Sequence, residues 1–422
     1  MVTNVWSMVA DGTRREEILE TGAALFASSG LRTSLKDIAD ACGILPGSLY
    51  HHFDSKEAII VELVQRYRDE LDEVAKEALD ALHEPDQRPI EDRVVGLGEA
   101  IAACAVRHRA ALLLTLYEPP TWAGEELVDL ARQTPAAIEA AMLEILQARG
   151  AAGAIRPGIH LRLLAERICQ SMLHIGVGVF HRSQAGRHLP AEKCRVFLHG
   201  IAVHAPSDAA LDRSPSMAAA REAIAAWDDH QDEDRVTHLR TTARAEFGRR
   251  GYEATTIRDI AKAAGMSTGS VYRMFGSKDE LLASIMRTFS ANLAAGWDAV
   301  VSSPPSSSSS LDQLDALMWV NINVLDRFSD EFKIQLAWLR QSPPSSVDLG
   351  FSFGRQLQQL KQLLVAGEQA GELSVEGGSA LNRARSLYEL LLTPENIVRD
   401  AGPSAAHALA RDTVLRGAMV RS

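Results

Sequence analysis

Residues able to do chemistry are sparse in this 422-residue chain, and their spacing closes off most reactions. His51 and His52 are adjacent, but neighbours on a helix diverge by ~100° and no third ligand accompanies them, so no metal site is read there. Gly176 and Gly178 in "HIGVGVF" lack the third glycine of a dinucleotide fingerprint; they read as small residues that let helices approach. The four cysteines (Cys42, Cys104, Cys169 and Cys194) form no C-x-x-C pair and read as reduced, buried thiols. With no Ser/His/Asp context, Walker loop or zinc spacing, no catalytic residue, metal or cofactor is expected. The most specific signal is a repeated phrase. "GSLYHHFDSK" (Gly47–Lys56) returns as "GSVYRMFGSK" (Gly269–Lys278).

Laid over one another, residues 34–60 and 256–282 share Asp37, Ile38, Ala39, Ala41, Gly43, Gly47, Ser48, Tyr50, Phe53, Ser55 and Lys56. The match continues upstream with a one-residue shift, pairing Ile18 with Leu239, Phe26 with Phe247 and Gly30 with Gly251. Further on, "RGAAGAI" (Arg149–Ile155) corresponds to "EQAGEL" (Glu368–Leu373), each closing an apolar helical run with a glycine turn. The ends correspond too, "KCRVFLHG" (Lys193–Gly200) with "RDTVLRG" (Arg411–Gly417). The order of landmarks is the same in both halves, so whole domains are duplicated; solenoid repeats have periods of only ~20–50 residues.

The elements that carry the phrase are helical. Ile18, Gly22, Leu25 and Phe26 make one face of a first helix, and Leu239, Ala243 and Phe247 its counterpart. Gly30 and Gly251 stand where that helix ends in a left-handed turn. Ser34-x-x-Asp37 and Thr256-x-x-Asp259 are capping boxes that open a second helix, which Gly43 and Gly265 break. A short third helix follows, and Ser55 or Ser277 caps a fourth. Two short helices joined by a glycine turn behind a longer one make a helix-turn-helix. The expected fold is all-α, with helix-turn-helix heads at 11–60 and 231–282, helical bodies at 61–204 and 283–422, and a linker at 205–230. The Pro/Ser/Asp content of "APSDAALDRSPS" suggests that linker, followed by a helix in "MAAAREAIAAW"; "SSPPSSSSS" (Ser302–Ser310) reads as a mobile loop.

Composition sets outer bounds. Apolar residues at 46% and charged residues at 23% are ordinary for a globular protein. No apolar run reaches the ~18 residues of a membrane span, and the N-terminus lacks signal-peptide features, so a cytoplasmic protein without membrane contact is expected. A net charge of −11 argues against nucleic acid, but it is unevenly spread. Residues 13–60 hold five basic and seven acidic side chains, a net of −2, whereas residues 234–282 hold nine and six, a net of +3.

"TSLKDIADACGILPGSLYHHFDSKEAII" and "TTIRDIAKAAGMSTGSVYRMFGSKDELL" both resemble the DNA-binding segment of the TetR family of transcriptional regulators. Members of that family are usually homodimers of a ~200-residue chain, so the resemblance implies two protomers fused into an intramolecular pseudo-dimer. Such a protein binds double-stranded operator DNA, usually as a repressor, with two recognition helices ~34–36 Å apart. As a flexible coil, the connection from Gly200 to Asp234 spans ~30 Å, which permits that arrangement.

The resemblance implies phosphate contacts from Tyr50 and Tyr272 and from Lys56 and Lys278. Ser34 and Thr256 offer a hydroxyl and helix-terminal N–H groups to phosphate. Base-edge candidates are Ser48 and His51 in the first copy, and Thr268, Ser270 and Arg273 in the second. Ser267 is a sound N-cap for the second recognition helix, whereas Leu45 cannot cap the first. The readers are therefore expected to be unequal, with the second giving more affinity. The contrasting expectation is a helical interaction or scaffold protein whose DNA-binding segments are degenerate.

The resemblance also implies a small-molecule effector, apolar or acyl-CoA-like, held in a helical body. Candidate contacts are Tyr117, Trp122, His174, Trp319 and Trp338. Helices near Ile159–Phe180, Pro190–Val203, Ser379–Leu392 and Ser404–Met419 are expected to form a four-helix bundle between the halves. The interrupted middle of the second copy suggests one ligand per chain.

Overall fold

The structure, a computed structural model, describes residues 5–83, 88–115, 119, 122–148, 153–177, 188–227, 234–252, 254–302, 308–340 and 353–420. Among them are helices and no strands; the β-like features are two isolated bridges. The first head comprises α1 (Val5–Ser29), α2 (Leu35–Ala41) and α3 (Pro46–Leu49), and α4 (Lys56–His83) runs from it into the body. That body adds α5 (Ile90–Arg107), α6 (Arg109–Leu114), α7 (Glu125–Arg132), α8 (Ala136–Gln147), α9 (Leu161–Val177) and α10 (Leu189–His199). Two helices connect the halves, α11 (Asp208–Asp212) and α12 (Pro215–Ala225). The second head is α13 (Arg235–Arg250), α14 (Ile257–Ala263) and α15 (Thr268–Phe275). Its body holds α16 (Lys278–Val301), α17 (Ser310–Arg327), α18 (Ser329–Arg340), α19 (Phe353–Gln369), α20 (Ala380–Leu390), α21 (Glu395–Ala401) and α22 (Pro403–Ala410), which widens into a π-helical turn over Arg411–Leu415.

The helix boundaries follow from cap chemistry. Ser34 and Thr256 each accept from the backbone N–H three residues on, and Asp37 or Asp259 accepts from the cap's own N–H, completing both boxes. Gly30, Gly43, Gly251 and Gly265 all have positive φ where their helices stop.

The segment between the halves departs from a simple linker. Ser207 caps α11 and Ser214 caps α12, with Pro215 at the first turn, so residues that read as loop formers serve as helix starts. Met217, Ala220 and Ile224 are then buried as α12 packs on α16 and α17. Trp227 lies against Phe328 and under the Arg327 guanidinium, completing this face of the second body. Residues 303–307 of the expected mobile loop lie outside the described residues, but Ser309 forms a capping box with Asp312 that opens α17.

The two halves join through their backbones at Gly200 and Gly417. From the first half, Ile201 N donates to Val414 O (2.9 Å) and Ala202 N to Leu415 O (2.9 Å). The second half returns the same pair, Ala418 N to Phe197 O (2.9 Å) and Met419 N to Leu198 O (2.7 Å). The glycine turns seen in the sequence complete the pattern: Arg156 N donates to Ala418 O and Val420 N to Ala154 O, while Ser374 N donates to Ile201 O and Val203 N to Glu372 O. Every bond has a counterpart about a pseudo-two-fold axis. At its centre, a Cβ on Gly417 would lie 2.1 Å from His199 C, and one on Gly200 would lie 2.4 Å from Gly417 N. Gly200 also has φ 70° and ψ 177°, a conformation open essentially to glycine alone.

Of the four helices expected to form a bundle, α10 packs on α9, on α20 and on the π-helical turn that follows α22. α9, α10, α20 and α22 meet around this clasp, but Thr393 and Pro394 break the chain after α20 and insert α21 before α22. Arg167 of α9, fully buried, reaches across to donate to Leu390 O (3.1 Å) and Thr393 Oγ1 (3.2 Å), capping the carbonyl end of α20 with a positive charge. Gly176 has its close approach inside the first half: a Cβ there would be 2.4 Å from Ala105 O of α5.

A buried ionic cluster ties the chain's end to this frame. Arg411 makes a bidentate pair with Asp315 of α17 (2.8 Å twice) and also meets Asp208 and Asp212 of α11; His407 Nε2 sits 2.9 Å from Asp315 Oδ1. Burial alone raises a carboxyl pKa, but the hydrogen bonds from Arg411 and His407 outweigh it and hold Asp315 below its usual range. A depressed native pKa gives stability that is present at neutral pH and lost as pH falls through and below about 4. Asp315→Asn is expected to cost about 3 kcal/mol at pH 7 by leaving Arg411 short of its buried partner. Urea unfolding should show that penalty shrinking as the pH is taken from 7 towards 3.

Candidate nucleic-acid interface and ligand cavity

Both heads present the same surface at the same register. Leu49 and Val271, at equivalent positions in α3 and α15, are buried against their heads, while the tyrosines that follow them turn outward. Tyr50 is 54% and Tyr272 52% exposed, high values for aromatic side chains whose neighbours form a core. Ser34, Ser48 and His51 are exposed on the first head; Thr256, Ser267, Thr268 and Arg273 are exposed on the second, with Ser270 half-buried. The hydroxyls of Ser34 and Thr256 are engaged by Asp37 and Asp259, so what these caps offer a phosphate is chiefly the helix-terminal N–H groups behind them.

The two third helices differ in length and capping. α15 is eight residues long and closed at both ends: Ser267 Oγ accepts from Ser270 N, and Gly276, at φ 67°, donates its N–H to Tyr272 O at 2.8 Å. α3 is four residues long. Leu45 gives it no side-chain cap, and Asp54 stands where the second head has Gly276. Beyond Leu49 the chain continues in tighter turns, His51 N bonding Ser48 O and His52 N bonding Leu49 O. Arg273 is thus held on a formed helix, its Nη2 3.3 Å from Ser270 Oγ, while His51 lies past the end of its helix.

Each conserved-phrase lysine lies beside an aromatic ring. Lys56 Nζ donates to Leu31 O (2.7 Å) and stands 5.2 Å from the Trp122 ring; burial lowers its pKa. Lys278 Nζ is 4.1 Å from the Tyr252 ring, whose hydroxyl donates to Asp279. Both ammonium groups are therefore positioned at the rim of their heads by contacts within the chain.

Between the bodies lies a cavity of about 1130 Å³. The first half contributes α8, α9 and α10, through residues such as Leu143, Glu166, Gln170 and His174; the second contributes Phe332, Phe353, Tyr388 and Asn396 from α18 to α21. Lys193, almost fully buried at the wall, pairs with Glu389 across the halves at 2.5 Å, and Lys333 pairs with Glu395 at 2.9 Å. Glu166 carries a raised pKa, from burial first and then from the nearby Glu139 and Asp400. Of the ligand candidates read from sequence, His174 lines this space. Trp122 is 47% exposed beside Lys56 and Trp319 stacks on His407 (centroids 5.1 Å), both away from the cavity lining. Tyr117 and the Trp338 side chain lie outside the described residues. The aromatic side chains on this wall are Phe332, Phe353 and Tyr388, beside charged residues such as Lys193 and Glu166 set within apolar helical runs.

Paired helix-turn-helix heads on an all-α body define a DNA-binding regulator. The model for bacterial regulatory proteins of the tetR family matches at residues 18–63 and again at 239–285. The HTH-type transcriptional repressor KstR2 of Mycolicibacterium smegmatis is 30% identical over 201 residues, covering 42% of this chain and 95% of that protein. KstR2 of Rhodococcus jostii is 58% identical over 59 residues, 14% of this chain; the match spans only 29% of that relative's length. Among solved structures, the ketosteroid transcriptional regulator KstR2 of Mycobacterium tuberculosis is 26% identical, covering 43% of this chain and 92% of that one, with a TM-score of 0.38. This chain belongs to the tetR family of bacterial regulatory proteins, and it carries the family's DNA-binding segment twice.

Cap chemistry can be tested directly at the two readers. Leu45→Ser supplies α3 with the acceptor that Ser267 gives α15 and should slow amide exchange at Ser48 about fivefold, equivalent to ~1 kcal/mol. Ser267→Ala should speed exchange at Ser270 by a similar factor, read by hydrogen-exchange NMR or mass spectrometry.

Proposed function

We propose that the chain is a transcriptional repressor in which one polypeptide grips two adjacent turns of an asymmetric operator and is released by a small-molecule effector. The observation that carries this reading is the pair of outward tyrosines, Tyr50 and Tyr272, on heads whose recognition helices differ in length, capping and charge. Phosphate contacts fall to Tyr50, Lys56 and the α2 start at Ser34, and to Tyr272, Lys278 and the α14 start at Thr256. Base edges fall to Ser48 and His51 on one side, and to Thr268, Ser270 and Arg273 on the other, with Ser267 holding the second helix in shape. Arg273 is always charged, so the second head supplies more of the affinity. Repression is supported by the names of the relatives.

The effector reading rests on the interfacial cavity. Its volume and its mixed apolar and charged lining suit a small apolar or acyl-CoA-like molecule. α18 supplies a route to the DNA. Phe332 and Lys333 border the cavity, while on the same helix Glu331 pairs with Arg244 of α13 (3.4 Å) and Asp330 packs on Gly248. A ligand that shifts α18 therefore shifts the second head, and it acts only through its differential affinity for the two arrangements.

Footprinting and salt-dependent gel shifts on the operator test the reading. Tyr272→Phe and Arg273→Ala should each weaken binding more than Tyr50→Phe and His51→Ala, and Lys278→Ala should lower the salt slope by about 1. Equal losses on a perfect palindrome would contradict unequal readers. Absence of any salt-dependent shift would favour a scaffold with degenerate heads. Gln170→Trp, which projects a bulky ring into the cavity, should leave operator binding intact and weaken effector release.

A further inference from the structure

Glu70, Cys104 and His108 form a cluster that the DNA-binding and effector roles leave unused. Cys104 and His108 stand one helical turn apart at the end of α5, and Glu70 faces them from α4. Their donor atoms (a thiol sulfur, an imidazole nitrogen and a carboxylate oxygen) all lie within 4.8 Å of one another, with His108 Nε2 2.8 Å from Glu70 Oε2. Tetrahedral zinc has bonds of ~2.0–2.3 Å to these ligand types, so its ligands sit roughly 3–4 Å apart; closing the cluster needs only side-chain rotation. Arg107 bonds the other oxygen of Glu70, orienting the carboxylate as partners of metal-bound carboxylates do. Glu70 and His108 are partly exposed, giving an ion a way in, while Cys104 is buried behind them.

The duplicate half shows that the fold does not require ionisable groups there. α5 and α17 have the same length, and their C-caps are His108 and Phe328. Tyr67 faces His108 with ring centroids 6.1 Å apart; at the corresponding corner Phe289 faces Phe328 at 6.1 Å. Asn292 and Val324 occupy the positions of Glu70 and Cys104. The same corner thus holds Phe328, Val324 and Asn292 in one half and three ligand types suited to a borderline-soft metal in the other.

We infer that Glu70, Cys104 and His108 bind one divalent ion of the zinc class, with the fourth position open to water, in the first half only. On binding, the Cys104 S–H bond gives way to a sulfur–metal bond and the proton passes to solvent. The ion pins α4 to the α5–α6 corner. Because α6 packs on α1, that restraint falls on the weaker reader's head.

Cobalt(II) titration of the metal-free full chain tests this. One equivalent should give a thiolate-to-cobalt charge-transfer band in the near ultraviolet, which zinc then bleaches. Cys104→Ser should abolish the band, and Cys42→Ser should leave it. His108→Gln and Glu70→Gln should each weaken cobalt affinity about 10-fold or more, with circular dichroism confirming that each variant is folded. No band at stoichiometric cobalt, or a band that survives Cys104→Ser, would overturn the proposal. If Cys104→Ser does not fold, cobalt affinity unchanged in Glu70→Gln would overturn it equally.

Discussion

The contact between Gly200 and Gly417 is the constraint on which the rest of the structure depends. Two backbones cross there with no room for a side chain on either, and four strand-like hydrogen bonds run symmetrically outward from the crossing. In a protein made of two copies this would be an isologous interface, in which one patch meets itself. Here the two patches belong to one chain, so the halves face each other at an effective concentration fixed by the connection and not by dilution. Backbone pairing also frees the side chains around it to differ, because its geometry asks only for glycine at the centre.

That freedom has been used. Near the clasp, the second half gains the Arg411–Asp315–His407 cluster, while the corresponding helix of the first half places Cys194 beside Val94. The connection gains α12, which packs on α16 and α17 and completes the second body's core. The heads diverge most at their third helices: α15 has a side-chain N-cap and carries arginine, whereas α3 has no side-chain N-cap and ends before His51. A homodimer cannot vary its readers separately. A fused pair can, and the net charges of −2 and +3 on the two heads are what such divergence leaves.

Legibility in the sequence tracked how local the determining physics is. The heads could be read closely because capping boxes and glycine stops act within a few residues, so Ser34-x-x-Asp37, Gly43, Thr256-x-x-Asp259 and Gly265 announce their own geometry. The correspondence of "KCRVFLHG" and "RDTVLRG" was visible, but not that these ends bond to one another, because that pairing is set by the approach of elements some two hundred residues apart. The connecting segment misled for a specific reason: Ser, Pro and Asp favour both loops and helix starts, and only the burial of Met217 and Ile224 decides between them. The cavity was the least legible. Its walls come from both halves, and its buried Lys193 is tolerated only because Glu389 from the other half meets it.

The central claim is that a single chain, folded on itself at Gly200 and Gly417, is the complete DNA-gripping unit. Native mass spectrometry of the protein with a duplex carrying its operator measures this most directly. The account predicts one chain per duplex, protecting two adjacent helical turns; two chains on a single operator, with the free protein already dimeric, would contradict it.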